Sequence, residues 1–290
     1  MKNFPGSKKE SSLTGMKTPL RLLVIYLPLI VILFFMIIPF LWVVVTSLKP
    51  EREILQRPIK YIPDPATLDN FFNAWRTVGF DRYFFNSFVV SISVAFVVLL
   101  FSTLVAYPLT RFHFRGKKLT MLLLLCTQFL PHSMLLIPLF MIFKTLGLIN
   151  QPLSLVISYV TFSLPFNAIM MRGFMASIPV SLEEAAMIDG SGRMGAIFRI
   201  ILPLLLPGVV ACGSFAFIDA WKEFLFAVMF LNDPEKMTLP VGLSYMLGEF
   251  TINYGILAAG AIIAIIPPML MFSYMQRFLI KGLSSGAVKG

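Results

Sequence analysis

The sequence is short of the side chains that do chemistry and of the charge that keeps a domain in water. Two histidines and two cysteines occur in 290 residues, and Asp, Glu, Lys and Arg together supply 13%, against roughly a quarter in soluble domains. There is no Gly-x-x-x-x-Gly-Lys-[Ser/Thr] phosphate loop, no His-Glu-x-x-His and no Cys/His metal spacing. With acid–base and metal-ligating residues so scarce, the chain is expected to catalyse nothing by itself and to need no metal or cofactor. His132 follows Pro131 in an apolar run and is expected to hydrogen-bond a carbonyl freed by the kink. Cys126 and Cys212 also lie in apolar runs and are expected to be small buried hydrophobes.

Apolar residues fill the remaining space. They make up 58% of the chain, and the mean hydropathy is +0.84. About 20 mostly apolar residues cross a bilayer as a helix. Such runs lie between Arg21 and Lys49, Arg82 and Arg111, Lys118 and Lys144, Lys144 and Arg172, and Glu249 and Arg277. A further run from Ile200 to about Leu231 is interrupted by Asp219, Lys222 and Glu223. The expected architecture is an all-α membrane protein of six spans over residues 22–280, with polar segments at 1–21 and 281–290. The first run far exceeds a signal-peptide core and no small-x-small cleavage site follows it, so it is expected to remain as a span.

Lys and Arg placement sets orientation. With the N-terminus inside, fifteen of the 24 Lys and Arg residues fall on inner segments, eight on outer ones, and Lys222 within a span. Both termini are therefore expected to be cytoplasmic. The net charge of +10 then belongs mainly to the inner face, where anionic headgroups attract it; no basic soluble face suggests nucleic acid. The outer connections are 47–84, 144–152 and 232–255, and the inner ones are 110–118 and 173–199. Thr67 and the stripe Leu68, Phe71, Phe72 and Trp75 predict a short amphipathic helix, lying either at the interface or as a lid on the bundle. Prolines at 28, 39, 131, 138, 165, 207, 267 and 268 predict kinked helices.

Two polar constellations stand out. In the inner loop, Ser181 and Glu184 have the spacing of a reciprocal capping box, and Gly190 sits where a helix ends by turning left-handed. This predicts a free-standing two-turn helix at about 181–190, suited to docking a protein. In the fifth span, Asp219, Lys222 and Glu223 share one helical face at i, i+3 and i+4 spacing. Either they line a translocation path or they are a mutually neutralised group near the outer interface.

Glu184-Ala185-Ala186, then Gly190, Ile200 and Leu202-Pro203, resembles the EAA signature of permease subunits of bacterial ABC importers, in their maltose-type carbohydrate branch. The likeness extends over Asn86-Ser87, Arg115-Gly116-Lys117-Lys118, Ile137-Pro138-Leu139-Phe140, Leu146-Gly147-Leu148-Ile149-Asn150, Leu164-Pro165-Phe166, Thr238 to Leu243, and the tail from Gln276 to Gly290. The resemblance implies a second permease, two ATPase subunits that hydrolyse ATP, an extracytoplasmic solute-binding protein, and a sugar or oligosaccharide as cargo. It implies ATPase coupling through Ser181, Glu183, Glu184, Ala185, Ala186, Asp189, Gly190, Leu202 and Pro203, with Lys281, Gly286 and Lys289 of the tail as further contacts. Asp219, Trp221, Lys222 and Glu223 are the candidate path residues. Here the chain departs from the family's usual Trp-Asn-Glu-Phe by carrying Trp221-Lys222-Glu223-Phe224, which leaves a charged sugar or glycerol phosphate open as cargo. A secondary transporter needs no ATPase and often shows inverted repeats; none is visible.

Overall fold

A computed structural model describes residues 18–247 and 252–287, with side chains for 24–247 and 252–278. Its principal helices are α1 (Thr18–Ser47), α2 (Phe80–Arg111), α3 (Lys117–Thr127), α4 (Leu136–Thr145), α5 (Pro152–Ala176), α6 (Val180–Ile188), α7 (Leu206–Trp221), α8 (Leu225–Phe230), α9 (Leu239–Tyr245) and α10 (Tyr254–Ala287). No strand occurs among the described residues. Four helices (α1, α2, α5 and α10) are each long and apolar enough to span a bilayer. Two bent pairs complete the six. In the third span, α3 meets His132–Thr145 at 87°, and in the fifth, Arg193–Leu204 meets α7 at 72°.

The centre is α2 packed against α5 and α7, with α10 on the far side of α7 and α1 lying along α10. Small residues permit this. Gly208, Ala211, Gly213, Ala216 and Ala220 of α7 are buried, as are Ser87, Ser91, Ala95 and Ser102 of α2. In lipid, where apolar surface alone does not drive helices together, small interface residues allow the close backbone approach that does. A Cβ on Gly208 would lie 2.7 Å from Cβ of Phe174 in α5. Large apolar side chains cover the outside instead, including almost the whole of α1.

The connections carry more structure than their composition suggests. The predicted amphipathic helix exists as Asp69–Phe72 continued by a wide turn, Asn73–Thr77, with Thr67 Oγ1 accepting from the Asp69 N–H at 3.1 Å. Leu68, Phe72 and Trp75 face outward, while Asn70 and Ala74 are buried. Asn70 donates to the carbonyls of Ser47 and Lys49, both at 2.8 Å, closing the end of α1. Glu51 accepts from the N–H groups of Tyr254 and Gly255 at 3.2 and 3.1 Å, closing the start of α10. Helix ends leave such groups unpaired, and side chains are the usual remedy.

The 232–255 connection is not a simple loop, because it contains α9, which is buried at Leu239, Val241 and Gly242. Asn86 and Ser87 hold it. The Asn86 amide donates to the carbonyls of Glu235 and Met237 at 2.9 and 3.0 Å, and Ser87 Oγ accepts from the Leu239 N–H at 2.8 Å. Cys126 is exposed on the outside of α3, contrary to expectation, whereas Cys212 is buried. Position 126 falls on a helix with no buried residue. The helix α10 runs through Ala287, so positions 281 and 286 lie on a helical continuation beyond the candidate span Tyr254–Phe278. The side chain of Lys281 and all of Lys289 lie outside the described residues.

Candidate functional site: a short helix clamped to the second span

Helix α6 starts two residues earlier than the capping box requires. Its N-cap is Pro179 at φ −59°, ψ 136°, with no side-chain cap bond. The Ser181–Glu184 box is therefore absent: Ser181 already has helical backbone, and a capping serine must stand outside the helix in extended geometry. The other end matches the expectation. Gly190 takes φ +85°, its N–H donates to Met187 O at 3.2 Å, and the Ser191 N–H donates to Ala186 O at 3.0 Å. That pair of bonds satisfies two of the last carbonyls of the helix.

The two faces of α6 differ. Ser181, Glu184, Ala185 and Ile188, at i, i+3, i+4 and i+7, are exposed, and Asp189 follows them. Ile188 is 86% exposed. Glu183 and Ala186 face inward and are buried. The Glu183 carboxylate accepts from Arg111 Nε and, at 3.2 Å, from the Tyr107 hydroxyl. The Arg111 and Glu183 side chains are 5% and 7% exposed, so this is a desolvated ion pair joining α6 to the end of α2. The free-standing island of the sequence reading is thus clamped, and Glu183 is not on its outer surface. Arg111 was legible only as one more basic residue at the end of a span.

Downstream, Leu202 and Pro203 sit where the segment Arg193–Leu204 bends into α7. The helix loosens to a π turn over Ile197–Ile201, and the bend follows at Leu205. Ile201 and Leu205 are buried in a cluster with Met171, Met175, Ile178 and Ala106. The segments flanking α6 are therefore packed, through Ile178 on one side and Ile201 on the other, against α2, α5 and α7.

Away from α6, a cleft of about 730 Å³ opens among the break between α3 and α4, α5, α7 and the start of α8. His132 lines it, stacked on Phe162 at 4.4 Å and 21°; this stacking replaces the expected carbonyl bond. Asp219 Oδ1 and Lys222 Nζ form a 2.8 Å pair, with side chains 49% and 68% exposed. Glu223 lines the cleft with them, although it lies past the end of α7 at Trp221. Its carboxylate turns to accept from the Phe226 and Ala227 N–H groups at 3.0 and 3.2 Å, and from the Tyr159 hydroxyl, capping α8. Trp221, by contrast, does not line this cleft. It is 3% exposed, and its Nε1 donates to Ala264 O at 3.0 Å, pinning α7 to α10. Asn150, at φ +62°, holds the end of α8: its N–H donates to Phe230 O at 2.7 Å, and its Oδ1 accepts from Asn232 and Asp233.

This arrangement is matched among known proteins. Residues 98–285 match the family described as binding-protein-dependent transport system inner membrane component. The chain is 37% identical over 252 residues to the sulfoquinovosyl glycerol transport system permease protein of Agrobacterium fabrum, covering 87% of this chain and 88% of that one. It is 34% identical over 255 residues to a diacetylchitobiose uptake system permease protein of Streptomyces coelicolor, covering 87% and 84%. In fold it resembles a chain of a bacterial ABC transporter involved in import of the acidic polysaccharide alginate, with a TM-score of 0.78, 19% identity, and coverage of 96% of this chain and 99% of that one. The chain belongs to the family of binding-protein-dependent transport system inner membrane components.

Proposed function

We propose that this chain is one of two permease subunits of an ATP-driven ABC importer for a saccharide, with α6 as the helix that docks into an ATPase subunit. The observation that carries this is the two-faced α6. One face, Ser181, Glu184, Ala185 and Ile188, is open to a partner, and the other is fixed to α2 through Glu183 and Arg111. A movement imposed on the open face reaches the spans because the clamp and the Leu202-Pro203 bend leave little slack. Alternating access requires a shape change driven by differential binding of ATP in two states. The ATPases would supply that energy, and Asp189 and Gly190 close the docking helix at their side. The excess of Lys and Arg on the α6 side of the spans supports a cytoplasmic position for α6 and both termini. A solute-binding protein would deliver cargo at the opposite side, near Arg82 and Glu235.

A saccharide is the cargo supported by the transport names of the relatives. The cleft suits one, offering aromatic walls at Tyr159, Phe162 and Phe166 beside the Asp219–Lys222 pair. That pair also supports the narrower reading of an acidic saccharide, whose anion would compete with Asp219 for Lys222. Two measurements test these readings. Substituting Gly190 or Glu184 should reduce ATPase co-purification and cellular uptake together; unchanged values for both would refute the docking role. Lys222→Asn should shift preference toward neutral sugars if Lys222 meets cargo, and an unaltered substrate range assigns the pair to structure.

A further inference from the structure

On the side of the molecule that carries α6, a second cavity of about 660 Å³ lies between the start of α3 and the end of α5. His113, Lys117, Lys118 and Arg172 line one part of it, Leu122 and Leu125 another, and no carboxylate contributes. None of its three permanent cations is in an ion pair among the described residues. Lys117 Nζ donates to Phe112 O at 3.2 Å and Arg172 Nε to Leu109 O at 3.4 Å, which positions their charge without neutralising it. Lys117 and Lys118 are moreover the first two residues of the 11-residue α3, which has no acid in its first turn and no side-chain cap. The partial positive charge of a helix N-terminus disfavours cations and leaves free N–H donors pointing outward. Three sources of positive character thus converge on one hollow with nothing to offset them.

We infer that this hollow binds the phosphate headgroup of an anionic glycerophospholipid. The apolar wall selects a lipid over a soluble anion. Leu122 and Leu125 are 56% and 46% exposed and lie one turn or more beyond the lysines, so a headgroup on Lys117 and Lys118 would lay its acyl chain along them. The left-handed Gly116, φ +95°, turns the chain directly into α3 with nothing within 4 Å of its missing Cβ, which keeps the entrance open. The bound lipid would fix the inner end of the bent third span against α5. The inference depends on the proposed orientation only for naming the inner leaflet.

The assembled transporter in nanodiscs of mixed phosphatidylglycerol and phosphatidylcholine, the same mixture in both leaflets, provides the test. A wrong orientation then leaves the outcome unchanged. Lipids retained on release are counted by native mass spectrometry. Wild type, and a Lys8→Gln/Lys9→Gln control that removes equal charge elsewhere, should retain phosphatidylglycerol preferentially. Lys117→Gln/Lys118→Gln should bind it roughly 30-fold more weakly, the factor expected for two basic residues near an anionic surface. Should the double variant fail to assemble, Lys118→Gln alone should show about a fivefold loss. Equal retention in all variants, or equal loss in the Lys8/Lys9 control, would overturn the inference. So would displacement of the lipid by inorganic phosphate, which marks a soluble-anion site, or loss of the ATPase subunit with lipid retention unchanged, which marks a protein contact.

Discussion

Glu183 and Glu184 are adjacent in sequence and opposite in circumstance. Glu184 is exposed, while Glu183 is buried against Arg111 and Tyr107. The spacing around the pair could not distinguish them, because the distinction depends on Arg111, 72 residues earlier, ending its own helix at that point. Breaking a buried pair by removing one partner typically costs about 3–5 kcal/mol, since the other charge is left desolvated. Arg111→Ala should therefore lower the thermal unfolding midpoint of the purified protein markedly. The double variant Arg111→Met/Glu183→Met should recover much of the loss; a double variant as unstable as the single one would show that the charges themselves are needed. Gly190 was legible for the opposite reason, since only its own backbone matters. At φ +85° with open space around it, Gly190→Ala should cost about 1–2 kcal/mol from backbone strain alone. Faster hydrogen exchange at Gly190 and Ser191 would register it.

Elements were legible in proportion to their length. The uncharged runs gave α1, α2, α5 and α10 because a bilayer leaves the backbone few alternatives to a long helix. The interruptions were harder to place. Pro131 marked the break in the third span, but its 87° bend depends on packing against α5. In the fifth span, Pro203 and Pro207 flank the bend at Leu205, whereas the stop after Trp221 had no proline to announce it. Counting Asp219, Lys222 and Glu223 onto one face assumed a continuous helix; all three do line the cleft, but the helix ends at Trp221 and Glu223 serves α8 as a cap. Removing an N-terminal cap costs about 0.5–2 kcal/mol. Glu223→Ala should thus raise hydrogen exchange at Phe226 and Ala227, with Glu223→Gln intermediate; equal protection in both would remove the capping role. Gly208→Ala should push α7 off Phe174 and destabilise the bundle by about 1–3 kcal/mol, the usual range for overpacking, read as a lower unfolding midpoint.

For the whole molecule, the two ends of α2 define opposite poles. Arg82 pairs with Glu235 at 2.7 Å, and Arg111 with Glu183. The 29 residue steps from Arg82 to Arg111 span about 44 Å of helix, enough to cross a membrane. The proposed orientation puts Asp189 inside and Glu235 outside. In a background with Cys126 and Cys212 replaced by Ala, Glu235→Cys should react with an impermeant maleimide on intact cells, and Asp189→Cys only after permeabilisation. The reverse pattern would invert the molecule and move α6 away from ATP. The exposed apolar covering was legible from composition, but which part faces lipid and which faces another permease was not, since both surfaces ask for the same residues.

The central claim is that the open face of α6 conveys ATP hydrolysis to the spans. Its most direct test is the ATPase rate of the reconstituted transporter with its saccharide-loaded binding protein, comparing wild type with Glu184→Arg at equal assembly of the two permeases. The account predicts that stimulated hydrolysis falls to the basal rate in the variant, with weakened ATPase retention. Full stimulation and full retention with an arginine on that face would contradict it.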